Sequence, residues 1–83
     1  MNNKILLTVK VPMIEKKYDI KIPISKNIGV AKELLIETIN ELSEGHYPKK
    51  KDAVLMLCDG TVLDKDAIVK DCGLKNGDTI IIV

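Results

Sequence analysis

The chain has 83 residues and a formal net charge of +1, with 46% hydrophobic and 30% charged residues. This balance is typical of a globular protein and excludes an intrinsically disordered chain. No apolar run reaches the ~18 residues that a membrane span needs, and the first residues lack the apolar stretch of a signal peptide. The sequence therefore predicts a single domain over residues 1–83, located in the cytoplasm.

The choice of basic and aromatic residues argues against nucleic-acid binding. All 13 basic residues are lysines, and the aromatic residues are limited to two tyrosines. Arginine is preferred for bidentate contacts to phosphate and guanine, and single-stranded nucleic acid needs aromatic side chains for stacking. A chain this short also has little core in which to form a deep substrate pocket. We therefore expect other proteins as partners, with no nucleic acid and no small-molecule substrate.

The first third of the chain predicts an antiparallel hairpin. Residues 4–11 alternate in hydrophobicity, and residues 18–24 alternate again after a polar connection. A period of two over this length is typical of a strand with one buried face. Pro23 lacks a backbone donor, which suits an edge strand.

A single amphipathic helix follows. Ser25 or Asn27 can cap its N-terminus, and Gly45 is predicted to end it. From Ile28 onward the apolar residues recur at helical spacing, which predicts one buried stripe: Ile28, Ala31, Leu35, Thr38 or Ile39, and Leu42, with Leu34 at its flank.

The second half of the chain returns to strands. Residues 53–58 and 78–83 are predicted strands, and a short strand over 61–63 follows the Asp59-Gly60 turn. The irregular stretch over 64–73 has Ile68 and Cys72 as expected buried anchors. The order ββαββ(β) predicts an α+β fold of the β-grasp (ubiquitin-like) type. In this fold one helix packs across one face of a mixed sheet of four or five strands.

One segment carries a more specific resemblance. The residues Asp-Cys-Gly-Leu-Lys-Asn-Gly-Asp over positions 71–78, followed by an apolar end strand, resemble the corresponding segment of the YukD/EsaB family. These are small ubiquitin-like proteins of Gram-positive type VII secretion systems. The resemblance implies a cytoplasmic accessory or regulatory role in assembling or controlling the secretion machine. The aromatic residues that this family often has near its helix are absent here.

The sequence predicts no catalytic, cofactor or metal site. Ubiquitin and the sulfur carriers act through a flexible C-terminal diglycine, whereas this sequence stops at Val83 inside a predicted strand. Cys58 and Cys72 are too few and too far apart for a zinc or iron–sulfur site, and we expect both to be buried. His46 is the only histidine and lies in a lysine-rich loop without an evident orienting partner. We therefore expect a protein that is not an enzyme and undergoes no conjugation.

The main predicted functional surface is the sheet face opposite the helix. If Met56, Cys58, Ile80 and Ile82 point inward, an apolar interaction patch lies outward: Leu6, Leu55, Leu57, Ile81 and Val83. Ubiquitin binds partners through the corresponding face, which the resemblance implies for this chain. The alternative is an ordinary hydrophobic strand whose register is misjudged, because a slip of one residue exchanges the two faces.

Two charged features are weaker candidates. An acidic stripe is predicted on one helix face, formed by Glu33, Glu37, Glu41 and Glu44. Such stripes are more often solvated faces than docking sites for a basic partner. The lysines at 49–51 could touch acidic lipid or protein, although short lysine runs are usually solubilising.

Three functional hypotheses remain open at this stage. The first is a non-conjugated ubiquitin-like adaptor of a type VII secretion system, reaching the membrane only indirectly through its partners. The second is a generic β-grasp interaction domain of another system, which could form a weak homodimer through the same patch. The third is a truncated ubiquitin-like or sulfur-carrier protein. A WXG-type protein and an FtsK-like ATPase encoded beside the gene are expected only under the first.

Overall fold

The computed structural model describes residues 3–83, and within that range a sheet packs against one long helix. The sheet has the order β2-β1-β4-β3, with β1 and β4 parallel and the other neighbours antiparallel. This confirms the predicted β-grasp architecture with a mixed sheet. The elements are β1 (Lys4–Val11), β2 (Lys16–Pro23), α1 (Ile28–Leu42), β3 (Leu55–Leu57) and β4 (Thr79–Ile82).

The β1–β2 hairpin forms as the alternation predicts. Leu7 lies opposite Ile20 and both are buried, because residues directly opposite each other share one face of the sheet. β2 is an edge strand, so the missing N–H of Pro23 costs little there.

The helix begins at an asparagine cap and ends one turn before the predicted glycine. The Asn27 side chain accepts a hydrogen bond of 2.9 Å from the Val30 N–H, which satisfies a donor at the free end of the helix. Leu42 closes the helix and is 54% exposed, although the sequence placed it in the buried stripe. Ile36 is buried instead. Leu42 lies on the solvent side of the last helical turn, whereas Ile39 and Ser43 on the other side of that turn are buried.

The register of β3 corrects the sequence-based interpretation. Leu55 is only 2% exposed and Leu57 packs against the core, whereas both were expected on the outer face. The reason is the pairing with β4, where Leu55 lies opposite Ile82 and Leu57 opposite Ile80. Both isoleucines are fully buried, so their partners share the inner face. Met56 therefore points outward, and Cys58, which was expected to be buried, is exposed.

Two residues outside the strands and α1 complete the core. Tyr47 is fully buried although its loop is polar, and Val69 is fully buried. Of the two expected anchors, Cys72 packs against the core as a partly buried side chain, and Ile68 is half-buried. Val69 begins a short 3₁₀ helix that ends at Cys72. The predicted short strand over 61–63 is reduced to a single bridge between Val62 and Met56.

Candidate protein-interaction surface

A compact group of apolar side chains lies on the sheet face opposite α1. Ile81 faces Met56 directly across the β3–β4 pair. The ladder continues by one further pair, since Val54 and Val83 exchange backbone hydrogen bonds of 3.0 and 3.3 Å. We call this group the outer patch, and it consists of Val54, Met56, Val62, Ile81 and Val83.

The outer patch is accessible at its margin. Val62 is 62% exposed, and the other four members are half-buried. Lys10 borders the patch on β1, directly opposite Ile81. The next row of the same face is polar, with Thr8 opposite Thr79 and the Thr8 hydroxyl donating to the Asp19 carboxylate at 2.8 Å. The result is an apolar island with a polar border, which is the usual anatomy of a protein interface.

The structure brings together only part of the patch that the sequence predicts. Ile81 and Val83 lie in the outer patch, whereas Leu55 and Leu57 belong to the core side of β3. Leu6 is exposed on the same outer face. Leu6 is nevertheless separate from the outer patch. It lies four residues along β1 from Lys10, the residue opposite Ile81, which is a distance of roughly 13 Å at 3.3 Å per residue.

Val54, Met56 and Val62 were missed by the sequence analysis. Residues 54–58 are all apolar, so the sequence contains no alternation from which the outward residues could be chosen. Pairing with β4 was the signal that could have identified them. Once Ile80 and Ile82 are assigned to the core, an antiparallel neighbour must direct Leu55 and Leu57 inward as well.

The predicted acidic stripe is shorter than expected and is partly neutralised. Glu33, Glu37 and Glu41 are exposed on α1, but Glu44 lies beyond the helix end in a left-handed conformation with a φ of 54°. The left-handed turn removes it from the helical spacing that the prediction assumed. The Lys49 ammonium lies 3.0 Å from the Glu37 carboxylate, a surface ion pair of the kind that contributes about 0–1 kcal/mol.

The lysine-rich loop lies beside the acidic stripe rather than apart from it. A groove of about 650 Å³ runs between them and includes the exposed Leu34. Its charged lining mixes four lysines with Glu33 and Glu37. Mixed charge at exposed positions favours solubility and gives no directed binding field.

Neither His46 nor Cys72 is arranged as a reactive group. The His46 Nδ1 lies 2.7 Å from the Ser43 carbonyl oxygen, a contact that holds the ring against the end of α1. Burial, followed by the charges of Asp71 and Asp64, raises the pKa of the Cys72 thiol, so this cysteine is not activated as a nucleophile. Among residues 3–83 no three His, Cys, Asp or Glu side chains are grouped as metal ligands.

No helix within residues 3–83 has both the length and the apolar character required to cross a bilayer.

The chain is similar to known proteins in its structure. No known family profile matches the sequence, and no curated protein matches it. Among solved structures, the EccD5 ubiquitin-like domain from Mycobacterium xenopi is 16% identical with a TM-score of 0.81, and the match covers 99% of this chain and 94% of that domain. The ubiquitin-like domain of the Mycobacterium tuberculosis type VII secretion system protein EccD1 is 13% identical with a TM-score of 0.77, covering 100% and 99%.

Two further structures extend the comparison. A chain of the MycP5-free ESX-5 inner membrane complex is 16% identical with a TM-score of 0.82; this match covers 99% of the present chain but only 21% of that chain. The UBL domain of Plasmodium falciparum Dsk2 is 18% identical with a TM-score of 0.75, covering 96% of each chain. At these identities the likeness concerns the fold. The protein has the ubiquitin-like β-grasp fold, and domains of the same shape occur in type VII secretion proteins.

Proposed function

We propose that this protein is a non-catalytic ubiquitin-like adaptor that docks through its outer patch onto a protein component of a type VII secretion system. The observation that carries the proposal is the outer patch itself. Exposed sheet faces are normally polar, and a contiguous apolar group on a small protein usually marks an interface.

Two independent lines support the secretion context. Two of the similar structures are ubiquitin-like domains of EccD proteins, and one of these proteins belongs to a type VII secretion system. The segment over residues 71–78 resembles the YukD/EsaB family. In the proposal the adaptor acts in the cytoplasm as a single domain, meets the membrane only through its partner, and modifies no substrate.

The gene neighbourhood gives the first test. A gene for a WXG-type protein and one for an FtsK-like ATPase beside this gene are the expected result. Their absence would assign the same docking surface to another system.

A binding measurement tests the patch directly. The purified chain is applied to the immobilised, detergent-solubilised secretion complex of its own organism, and affinity is followed by biolayer interferometry. The Ile81→Asp variant should bind at least about 30-fold more weakly, because a carboxylate at the centre of an interface removes a contact worth about 2 kcal/mol or more.

A matched control separates the patch from a general surface effect. Glu41→Lys alters an exposed charge on α1, on the opposite side of the molecule, and should leave the affinity unchanged. Circular dichroism of both variants verifies folding. Equal affinity of wild type and a folded Ile81→Asp variant would refute docking through this face. Sedimentation of the free chain over a range of concentrations would reveal whether the patch instead forms a homodimer.

A further inference from the structure

The outer patch contains one side chain that an oxidant can modify. Its other members are three valines and an isoleucine, whose hydrocarbon side chains do not react with peroxides. Met56 differs from them, because its thioether sulfur can take up an oxygen atom and become a polar sulfoxide. The patch is therefore a chemically inert surface with a single oxidisable member.

The strand pairing places Met56 in the middle of the patch. Met56 lies directly opposite Ile81 on β4, and on its other side it forms a bridge with Val62. Residues that lie opposite each other in an antiparallel pair direct their side chains to the same face. A polar group formed on the Met56 side chain would thus have an apolar neighbour on either side.

The Met56 side chain is within reach of a small oxidant. Met56 is half-buried and its neighbour Val62 is mostly exposed, so hydrogen peroxide can approach from solvent. Met13, in the short 3₁₀ helix between β1 and β2, is 53% exposed and lies outside the patch. It is expected to react as well, which makes it an internal comparison for Met56.

We propose that Met56 is a site of reversible oxidation and that its sulfoxide form prevents docking through the outer patch. Because the modification acts through that face, this role rests on the proposed function. Hydrogen peroxide is the oxidant. The sulfur attacks one peroxide oxygen, an S–O bond forms as the O–O bond breaks, and the second oxygen leaves as water after proton transfer. Sulfur loses two electrons, and the peroxide gains them.

Reduction restores the original side chain. Two thiols supply two electrons and two protons to the sulfoxide, and the products are the thioether, a disulfide and water. Methionine sulfoxide reductases carry out this step, with one enzyme for each sulfoxide epimer. The modification can therefore be removed without new synthesis of the protein.

The sulfoxide opposes docking because of its oxygen. In the free chain this hydrogen-bond acceptor is solvated, whereas docking would remove its water between Ile81 and Val62, whose side chains offer no donor. Burial of an acceptor without a partner is unfavourable. The fold itself is unaffected, since Met56 lies outside the hydrophobic core. The expected result is a folded chain that no longer docks.

Adaptable packing is the simpler explanation for a methionine in this position. An unbranched, flexible side chain fits surfaces of varied shape. That role accounts for the reduced side chain, and it predicts that exposure to peroxide leaves docking unchanged.

Cys58 is a second oxidisable residue close to Met56. Cys58 is exposed, and its Sγ lies 3.6 Å from the Thr79 carbonyl oxygen. Sulfenic acid and disulfide forms of a cysteine are reversed by dithiothreitol, whereas higher oxidation states are not. Dithiothreitol treatment together with a Cys58→Ser variant therefore separates the effect of this thiol from that of Met56.

The chain is treated with hydrogen peroxide and then with dithiothreitol, and mass spectrometry quantifies the sulfoxide at Met56 and Met13. Affinity for the immobilised, detergent-solubilised secretion complex is measured by biolayer interferometry. The oxidised chain should bind at least about tenfold more weakly, as expected for one buried acceptor without a partner. Methionine sulfoxide reductases A and B should restore the affinity, and circular dichroism should be the same before and after oxidation.

Matched variants identify the responsible residue. Met56→Leu keeps the side-chain volume but cannot be oxidised, so its affinity should be equal before and after peroxide. Met13→Leu and Cys58→Ser should lose affinity as wild type does. Protection by either of these two variants, a Met56 that stays reduced, or unchanged binding of the Met56 sulfoxide form would overturn the proposal alone. If the untreated chain did not bind the complex, the proposed function would fail and this role with it.

Discussion

The Leu55→Ala variant should lose about 2–5 kcal/mol of unfolding free energy, whereas Met56→Ala should lose less than about 1 kcal/mol. Leu55 is 2% exposed and faces the core opposite Ile82, so its truncation leaves a cavity. Met56 lies on the outer face, where solvent can fill the space that truncation creates. The two truncations are therefore expected to differ several-fold in the unfolding free energy that they remove, although the two residues are adjacent in one short strand.

Urea denaturation of both variants, followed by circular dichroism, measures this difference. The comparison tests the register of β3, on which the composition of the outer patch depends. If Met56→Ala were the more destabilising variant, Leu55 and Leu57 would face outward as the sequence alone suggested. The outer patch would then consist of different residues.

Truncation of Tyr47 to alanine should lower the unfolding free energy at least as much as truncation of Leu55. Tyr47→Ala is expected to cost about 3–5 kcal/mol, because the ring is fully buried in the core. Tyr47→Phe should change the unfolding free energy by no more than about 1 kcal/mol, since the hydroxyl has no hydrogen-bond partner among residues 3–83. A large loss in the phenylalanine variant would show that the hydroxyl makes an essential contact.

The same tyrosine makes stability depend on pH in the alkaline range. Burial, followed by the charge of Asp52, raises the pKa of Tyr47 above its ordinary value of 10.0. A raised pKa means that the folded state holds this proton more tightly than the unfolded state. The stabilisation is therefore complete below pH 10 and is lost as pH rises through the folded pKa. Urea titrations above pH 10 should show a shallower decline for Tyr47→Phe than for wild type.

The elements with clear periodicity could be predicted from the sequence. β1 and β2 alternate, and α1 has one apolar stripe that begins at an Asn27 cap. These features depend on local geometry, since a strand or helix must direct its apolar side chains to one side. The packing of α1 across one face of the sheet followed because a lone helix after a hairpin covers one face.

The parts that could not be predicted depend on tertiary contacts. Residues 54–58 are apolar throughout, so their inward and outward members are set by pairing with β4. Tyr47 sits in a lysine-rich loop, yet the Ser43 hydroxyl accepts a 2.9 Å hydrogen bond from its backbone N–H and the Asn40 side chain donates to its carbonyl at 2.8 Å. These bonds satisfy the backbone while the ring enters the core. The polar residues on either side of Tyr47 in the sequence therefore do not indicate that its ring is buried.

Secretion by living cells tests the proposed docking face most directly. A strain lacking this gene is complemented with wild type, with Ile81→Asp or with Glu41→Lys at matched expression, and type VII substrates in the medium are quantified by immunoblotting. We predict that wild type and Glu41→Lys restore secretion, whereas Ile81→Asp reduces it at least tenfold while remaining folded. Wild-type secretion from a stably folded Ile81→Asp protein would contradict the role of the outer patch.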